Sequence, residues 1–501
     1  MSIFGKARFF SLPHGRLSIL VFSSVAAVVL SACSAGPDFR RPDAPDVKTY
    51  TPAELPEQTA SSPVAGGEAQ RFQFGQDIPG EWWSLFHSEP LNEVIRQALA
   101  KNPAIDSAKA ALRRAQENFY AQSGATALPK VDADLSAGRQ KSSSAAFGQS
   151  GTGSVFNLYN ASVSVSYSLD ISGGLLRELE ALQAQADYRR YQLHGAYLAL
   201  TSNIVTAAVK EASLRAQLRA THEILTLQEK ELRLVERQFE IGSASRAAVL
   251  AQQTQLARAR AAFPPLEKEL ALTRNRLAAL SGETPGEAAL PEFELEGFVL
   301  PADLPVSLPS SLVRQRPDIM ASEALLHAAS AQVGVATADL YPKITLTGRA
   351  GYASTKLGDL FDSGNNIWNL AAGLTQPVFR GGELRARRRA AVAAYDQAAA
   401  VYRETVLLAF QEVADVLRAL DLDAAALKAQ TEAEEAARTT LDLTQKQFEL
   451  GAASYLTLFN ADQEYRQTRI NRVQAQAARY SDTAALFQAL GGAWWKGAEI
   501  Q

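Results

Sequence analysis

Tyr159-Asn160-Ala161-Ser162-Val163-Ser164-Val165-Ser166-Tyr167-Ser168-Leu169 alternates without a break. Tyr159, Ala161, Val163, Val165, Tyr167 and Leu169 fall on one side, and Asn160 and four serines on the other. A period of two means a β-strand with one apolar and one polar face. About 9–11 residues of such alternation is what a transmembrane strand requires, and this stretch meets that length. Three shorter stretches share the pattern. Val131, Ala133, Leu135 and Ala137 alternate with Asp132, Asp134 and Ser136. Ile344, Leu346, Gly348, Ala350 and Tyr352 share a face, as do Trp368, Leu370, Ala372 and Leu374. Polar loops, Lys141 to Gly153 and Ala353 to Asn366, join them in pairs.

Four strands cannot close into a barrel, and an open edge in lipid leaves backbone groups without partners at several kcal/mol each. Single-chain barrels start at eight strands, so two or more chains must pool theirs. Physics alone leaves two and three copies equally open. The same strands, packed as a soluble sheet on helices with the serines solvated, are the competing reading.

Between the strand pairs the pattern changes. From Leu175 to Glu240 there is no proline, and Leu193, Tyr197, Leu200 and Ile204 recur at steps of four, three and four. These 66 residues make on the order of 100 Å of helix at 1.5 Å per residue, with coiled-coil-like spacing. Gly242 ends the helix, and a second returns from about Ser245 to Leu280, with an interruption expected at Pro264-Pro265. Upstream, Leu91, Val94, Ile95, Ala98 and Leu99 open a helix that should run to about Gly124.

The scheme then repeats, the most informative property of the sequence. Asn102-Pro103 corresponds to Arg316-Pro317, Leu128-Pro129-Lys130-Val131 to Tyr341-Pro342-Lys343-Ile344, and Gly173-Gly174 to Gly381-Gly382. Gln238-Phe239-Glu240-Ile241-Gly242 corresponds to Gln447-Phe448-Glu449-Leu450-Gly451. The expected organisation is a first strand-and-helix repeat over 81–284, a Pro-rich link over 285–309, a second repeat over 310–495 and a tail over 496–501.

Residues 1–32 hold Lys6, Arg8 and Arg16 but no acid, and then the apolar run Leu17 to Leu30, too short to span a bilayer but right for an export signal. The run ends at Leu30-Ser31-Ala32-Cys33, whose cysteine is the only one in the chain. This resembles a bacterial lipoprotein signal, in which the thiol takes diacylglycerol and the new amino terminus a further acyl chain; several chains make a stable anchor. Ser34 follows, favouring the outer membrane. Prolines through 33–80 read as an extended, lipid-anchored tether.

The formal charge of −3 becomes −6 once the leader's three cations are removed, which gives no basic stripe for nucleic acid. His87, His194, His222 and His327 are scattered, so no metal site is expected. No nucleophile and base stand together, and an enzyme is not expected.

Taken in order, Gly36-Pro37-Asp38-Phe39, Trp82-Trp83, Pro264-Pro265-Leu266-Glu267, Arg316-Pro317-Asp318-Ile319, Gly334-Val335-Ala336, Pro377-Val378-Phe379-Arg380-Gly381-Gly382 and Ala489-Leu490-Gly491-Gly492 resemble the outer membrane factors of the NodT branch, similar in fold to TolC-type channels. The resemblance covers nearly the whole mature chain. It implies a mixed α and β membrane protein: a homotrimer pooling four strands per chain into a twelve-stranded barrel in the outer membrane of a Gram-negative cell, continued by a periplasmic helical barrel. It implies a passive efflux duct, driven by an inner-membrane pump of the resistance-nodulation-division type through a periplasmic adaptor. A protein-secretion duct and a non-conducting envelope lipoprotein are the neighbouring readings. Adaptor docking is expected at the turns holding Gly242 and Gly451. The gate is expected at Leu456 and at Asn460, which stands where relatives carry aspartate; Ala247 and Ala251 are their first-copy counterparts.

Overall fold

The structure is a computed structural model that describes residues 35–143, 148 and 153–492. The leader, Cys33 and the tail over 496–501 lie outside the described residues, as does most of the first polar loop. Among the described residues there are six strands: β1 (Arg71–Phe74), β2 (Lys130–Ser142), β3 (Ser154–Leu169), β4 (Asp303–Val306), β5 (Lys343–Ser354) and β6 (Asn366–Thr375). The principal helices are α1 (Glu89–Lys101), α2 (Pro103–Ala127), α3 (Gly174–Glu240), α4 (Arg246–Ser281), α5 (Pro317–Ala338), α6 (Glu383–Glu449) and α7 (Tyr455–Ala489). The long helices α3 and α6 both hold 67 residues and begin and end 209 positions apart. The chain divides into two compact units.

The first unit contains, of the described residues, those in 35–41, 114–186 and 324–400. Its sheet is antiparallel in the order β2-β3-β5-β6. Register puts side chains of like character in rows. Ala133, Val163, Ala350 and Trp368 lie across from one another on one face, with Val131, Val165, Gly348 and Leu370 in the adjacent row of that face. The opposite face carries the row Asp132, Ser164, Arg349 and Asn369. There Arg349 Nε donates to Ser162 Oγ at 3.0 Å and Ser164 Oγ to Asp134 Oδ2 at 3.2 Å. The outer edges of β2 and β6 have no partner among the described residues.

The start of the expected tether is pinned to this unit. Ala35 N donates to Ser172 O at 2.8 Å, and Phe39 stacks on His327 at 4.3 Å between ring centres. Arg177 donates to Ala35 O, Asp38 and Glu180. Gly36 lies against Gly334: a Cβ on Gly334 would come within 2.8 Å of Ala35 O and 2.7 Å of Arg177 Cγ. Two motifs nearly 300 residues apart in sequence are thus one contact. Gly334→Val is expected to cost about 2–3 kcal/mol by overpacking and to speed tryptic cleavage after Arg40. An unchanged digestion rate would count against the contact.

The second unit contains, of the described residues, 42–113, 187–323 and 401–492. Its core gathers Trp82, Phe86, Ile95, Leu277, Leu417, Tyr480 and Phe487, all almost fully buried. Here too the tether is packed: β1 pairs in parallel with β4, from Arg71 opposite Asp303 to Phe74 opposite Val306. Arg479, buried on α7, holds the segment leading into β1. Its guanidinium donates to Gly66 O and Glu68 O at 3.1 Å, Thr59 Oγ1 at 3.1 Å and Gln70 Oε1 at 2.9 Å.

Two helix expectations are corrected. The helix expected to run to Gly124 is broken at Asn102-Pro103, because proline disfavours a helical residue before it. Asn102 uses the break, its side chain accepting from Ala104 N and donating to Leu280 O, both at 2.8 Å. Conversely, Pro264-Pro265 does not interrupt α4, which runs through both. The carbonyls freed by the two prolines, those of Arg260 and Ala261, belong to exposed residues, where solvent can satisfy them.

Candidate functional site

The two turns anticipated at Gly242 and Gly451 are built alike. At the first, Gly242 N donates to Phe239 O at 3.0 Å and Ser243 N to Gln238 O at 2.8 Å; at the second, Gly451 N donates to Phe448 O at 2.9 Å and Ala452 N to Gln447 O at 2.7 Å. This pair of bonds is the Schellman helix ending, which puts the residue after the helix in the left-handed region. Gly242 and Gly451 have φ of +72° and +74°, where a side chain is strained. Each return helix is then capped by a serine: Ser245 Oγ accepts from Ala248 N and Ser454 Oγ from Thr457 N, both at 3.2 Å. Glycine stops one helix and serine starts the next.

Both turns present an aliphatic side chain to solvent. Ile241 is 76% exposed and Leu450 85% exposed. They stand at corresponding positions, and sequence reading fixed on the glycines beside them. The signal was available: an aliphatic residue just before a turn glycine has little to pack against.

Leu456 and Asn460 are exposed on one face of α7, one turn apart, with Leu456 66% exposed. Asp462 points elsewhere, as a rotation of about 200° from Asn460 requires. It is 3% exposed and pairs with Arg466 at 2.5 Å. Burial raises its carboxyl pKa, and the Arg466 charge and hydrogen bond partly offset that. Ala247 and Ala251 are exposed at the corresponding places on α4. The structure therefore brings Leu456 and Asn460 together beside the Gly451 turn, while the Gly242 turn has Ala247 and Ala251 at the corresponding places.

Ion pairs tie the return helices to the long ones: Arg260 of α4 to Glu229 of α3 at 2.8 Å, and Arg472 of α7 to Glu434 of α6. Farther along α7, Asp482 lies against Asp423. Burial first, then a hydrogen bond with the neighbouring carboxyl, push Asp482 up to about 8, with Arg479 opposing. The folded pair keeps a proton that the unfolded chain releases near pH 4. Stability from this pair is therefore full in acid and is lost as pH rises toward 8. Thermal denaturation of Asp482→Asn is expected to be flatter than the parent's between pH 5 and 8; parallel curves would count against it.

Among the described residues, no helix is long and apolar enough to cross a membrane and no group of three His, Cys, Asp or Glu could hold a metal ion. The exposed alternating sheet and the paired helical turns are the features with functional content.

Known proteins resemble this chain. The family model for outer membrane efflux proteins matches residues 94–283 and 308–492. The pyoverdine export outer membrane protein OpmQ of Pseudomonas aeruginosa is 32% identical over 424 residues, 83% of this chain and 87% of its own. The toluene efflux pump outer membrane protein TtgC of Pseudomonas putida is 29% identical over 483 residues, covering 95% and 96%. The solved outer-membrane channel OprN superposes with a TM-score of 0.82 at 27% identity, over 92% of this chain and 100% of that one. With the family pattern matched along most of its length, the chain belongs to the outer membrane efflux proteins.

Proposed function

We propose that three copies of this chain close a twelve-stranded barrel in the outer membrane, continue it as a periplasmic helical conduit, and act as the passive exit duct of a tripartite efflux pump. The observation that carries this reading is the four-stranded sheet, with one apolar face, one polar face and two edges unpaired among the described residues. In lipid both edges need partners, and β6 of one copy is free to pair with β2 of the next. One relative named as the outer membrane protein of a toluene efflux pump and another named as a pyoverdine export outer membrane protein support it.

An inner-membrane pump of the resistance-nodulation-division type drives transport, and a periplasmic adaptor docks on the turns at Ile241-Gly242 and Leu450-Gly451. The duct itself performs no catalysis. Cys33 carries the diacylglycerol and acyl chains that anchor the mature protein. Leu456 and Asn460 form the constriction, threefold and carried by the second copy of the repeat.

Particle images of the purified mature protein are expected to show threefold rings, and planar bilayers containing it discrete conductance; monomers without conductance would end the reading. A ring of Leu456 gates by excluding water. Leu456→Ser is therefore expected to raise open probability severalfold, and Asn460→Asp to add cation preference. The control Ala247→Ser should do neither.

A further inference from the structure

The start of α6 breaks a local rule. Five arginines, Arg380, Arg385, Arg387, Arg388 and Arg389, crowd into ten residues that hold one acid, Glu383. Four of them lie in the first two turns of the helix, where the macrodipole disfavours cations. Only Arg387 has an ion pair, to Glu383 at 2.6 Å; Arg380, Arg385, Arg388 and Arg389 are exposed and have no ion-pair partner among the described residues. Spacing of three and four puts Arg385, Arg388 and Arg389 on one side of the helix.

The fold does not require this. With Gly173-Gly174 set against Gly381-Gly382, the residues of α3 that correspond to Arg385, Arg387, Arg388 and Arg389 are Arg177, Leu179, Glu180 and Ala181. The first copy's one arginine there, Arg177, is buried in contacts within its own unit.

A second feature adjoins the cluster. The exposed apolar face of β6, through Leu370 and Leu374, runs off the end of the strand into Val378 and Phe379, which are 93% and 87% exposed. On that same face lies an apolar groove of about 740 Å³, lined among others by Val165, Tyr167, Leu346 and Leu370. Apolar surface that ends abruptly at a bank of cations has the layout of a membrane interface.

We propose that this corner is a binding site for an anionic glycerophospholipid of the leaflet nearer the helices. Its phosphate lies on Arg385, Arg388 and Arg389, with Arg380 beside it, and its acyl chains run along Phe379, Val378 and Leu374. Guanidinium forks suit phosphate oxygens. The site rests on the reading that the apolar face of the sheet meets lipid.

The test is thermal melting of the full mature protein in a neutral detergent, titrated with phosphatidylglycerol, phosphatidylcholine or inorganic phosphate. Phosphatidylglycerol is expected to raise the midpoint several degrees more than phosphatidylcholine, inorganic phosphate to do nothing, and added salt to erase the difference by screening. The variant R385Q/R388Q/R389Q should lose affinity for phosphatidylglycerol at least ~10-fold, and F379S should weaken both lipids. Equal response to the two lipids, equal protection by inorganic phosphate, or a triple variant that falls to monomers while keeping its lipid preference overturns the site. The last outcome would assign the arginines to carboxylates of a second copy. Oligomer size and circular dichroism, measured on the same samples, separate this failure from failure of the barrel itself.

Discussion

Ile241→Asp combined with Leu450→Asp is expected to abolish capture of the adaptor while leaving the assembled protein intact. Each side chain is an aliphatic group held almost wholly in water beside a rigid turn. Burying one against a partner contributes about 2 kcal/mol, so losing both should weaken docking by about 10²–10³-fold, before any multiplication from repeated contacts around a symmetric ring. Aspartate also leaves a charge to be desolvated on docking. The glycines and serine caps are untouched, so the hairpins should keep their shape. Affinity for the adaptor and drug susceptibility of cells carrying the variant are the readouts, with particle size as the control. Undiminished affinity would show that docking occurs elsewhere on the helices.

Arg479→Ala should be strongly destabilising. The guanidinium satisfies Gly66 O, Glu68 O, Thr59 Oγ1 and Gln70 Oε1 at once, while Gln70 reaches on to Pro301 O and Thr483 Oγ1 at 3.0 and 3.1 Å. Unmade bonds at buried groups cost about 1–3 kcal/mol each, and with partial relaxation the total is on the order of 4 kcal/mol. Lysine should not rescue it, because one ammonium cannot span four acceptors held by a planar fork. Denaturant unfolding of the purified variant gives the number. A loss below about 1 kcal/mol, the scale of an ordinary surface change, would mean that water replaces the network.

Much of this architecture was legible because its signals are periodic. The alternation from Tyr159 to Leu169 predicted β3, although the strand begins five residues earlier, at Ser154, where Phe156 and Leu158 fall on the serine side and Asn157 on the apolar one, which breaks the period. The duplicated strings predicted paired long helices and paired turns. Pairing of β1 with β4 left no such trace: Arg71 and Asp303 are 232 residues apart, and four residues are too few to show a period. Packing of the tether was hidden for the same reason, since the contact of Gly36 with Gly334 is invisible in either string alone. Proline misled in both directions. Asn102-Pro103 ended a helix because Asn102 had partners ready, whereas Pro264-Pro265 stayed within one because the freed carbonyls belong to exposed residues. At the turns, glycine and serine identified the hairpins, but Ile241 and Leu450 gain meaning only when their exposure is known.

The equal length of α3 and α6 restricts how such a chain can change over time. Deleting one residue from α3 alone would shorten it by 1.5 Å and turn everything beyond the deletion by 100°. Glu229 would swing away from Arg260, and the turn at Gly242 would fall out of step with its twin at Gly451. A matching loss in α4 would restore the first pairing but not the level of the two tips; only coordinated changes in all four segments would do so. Length variation in these helices is therefore expected to arrive in matched sets, while point substitutions accumulate freely, which would let the two halves drift apart in sequence and remain identical in measure.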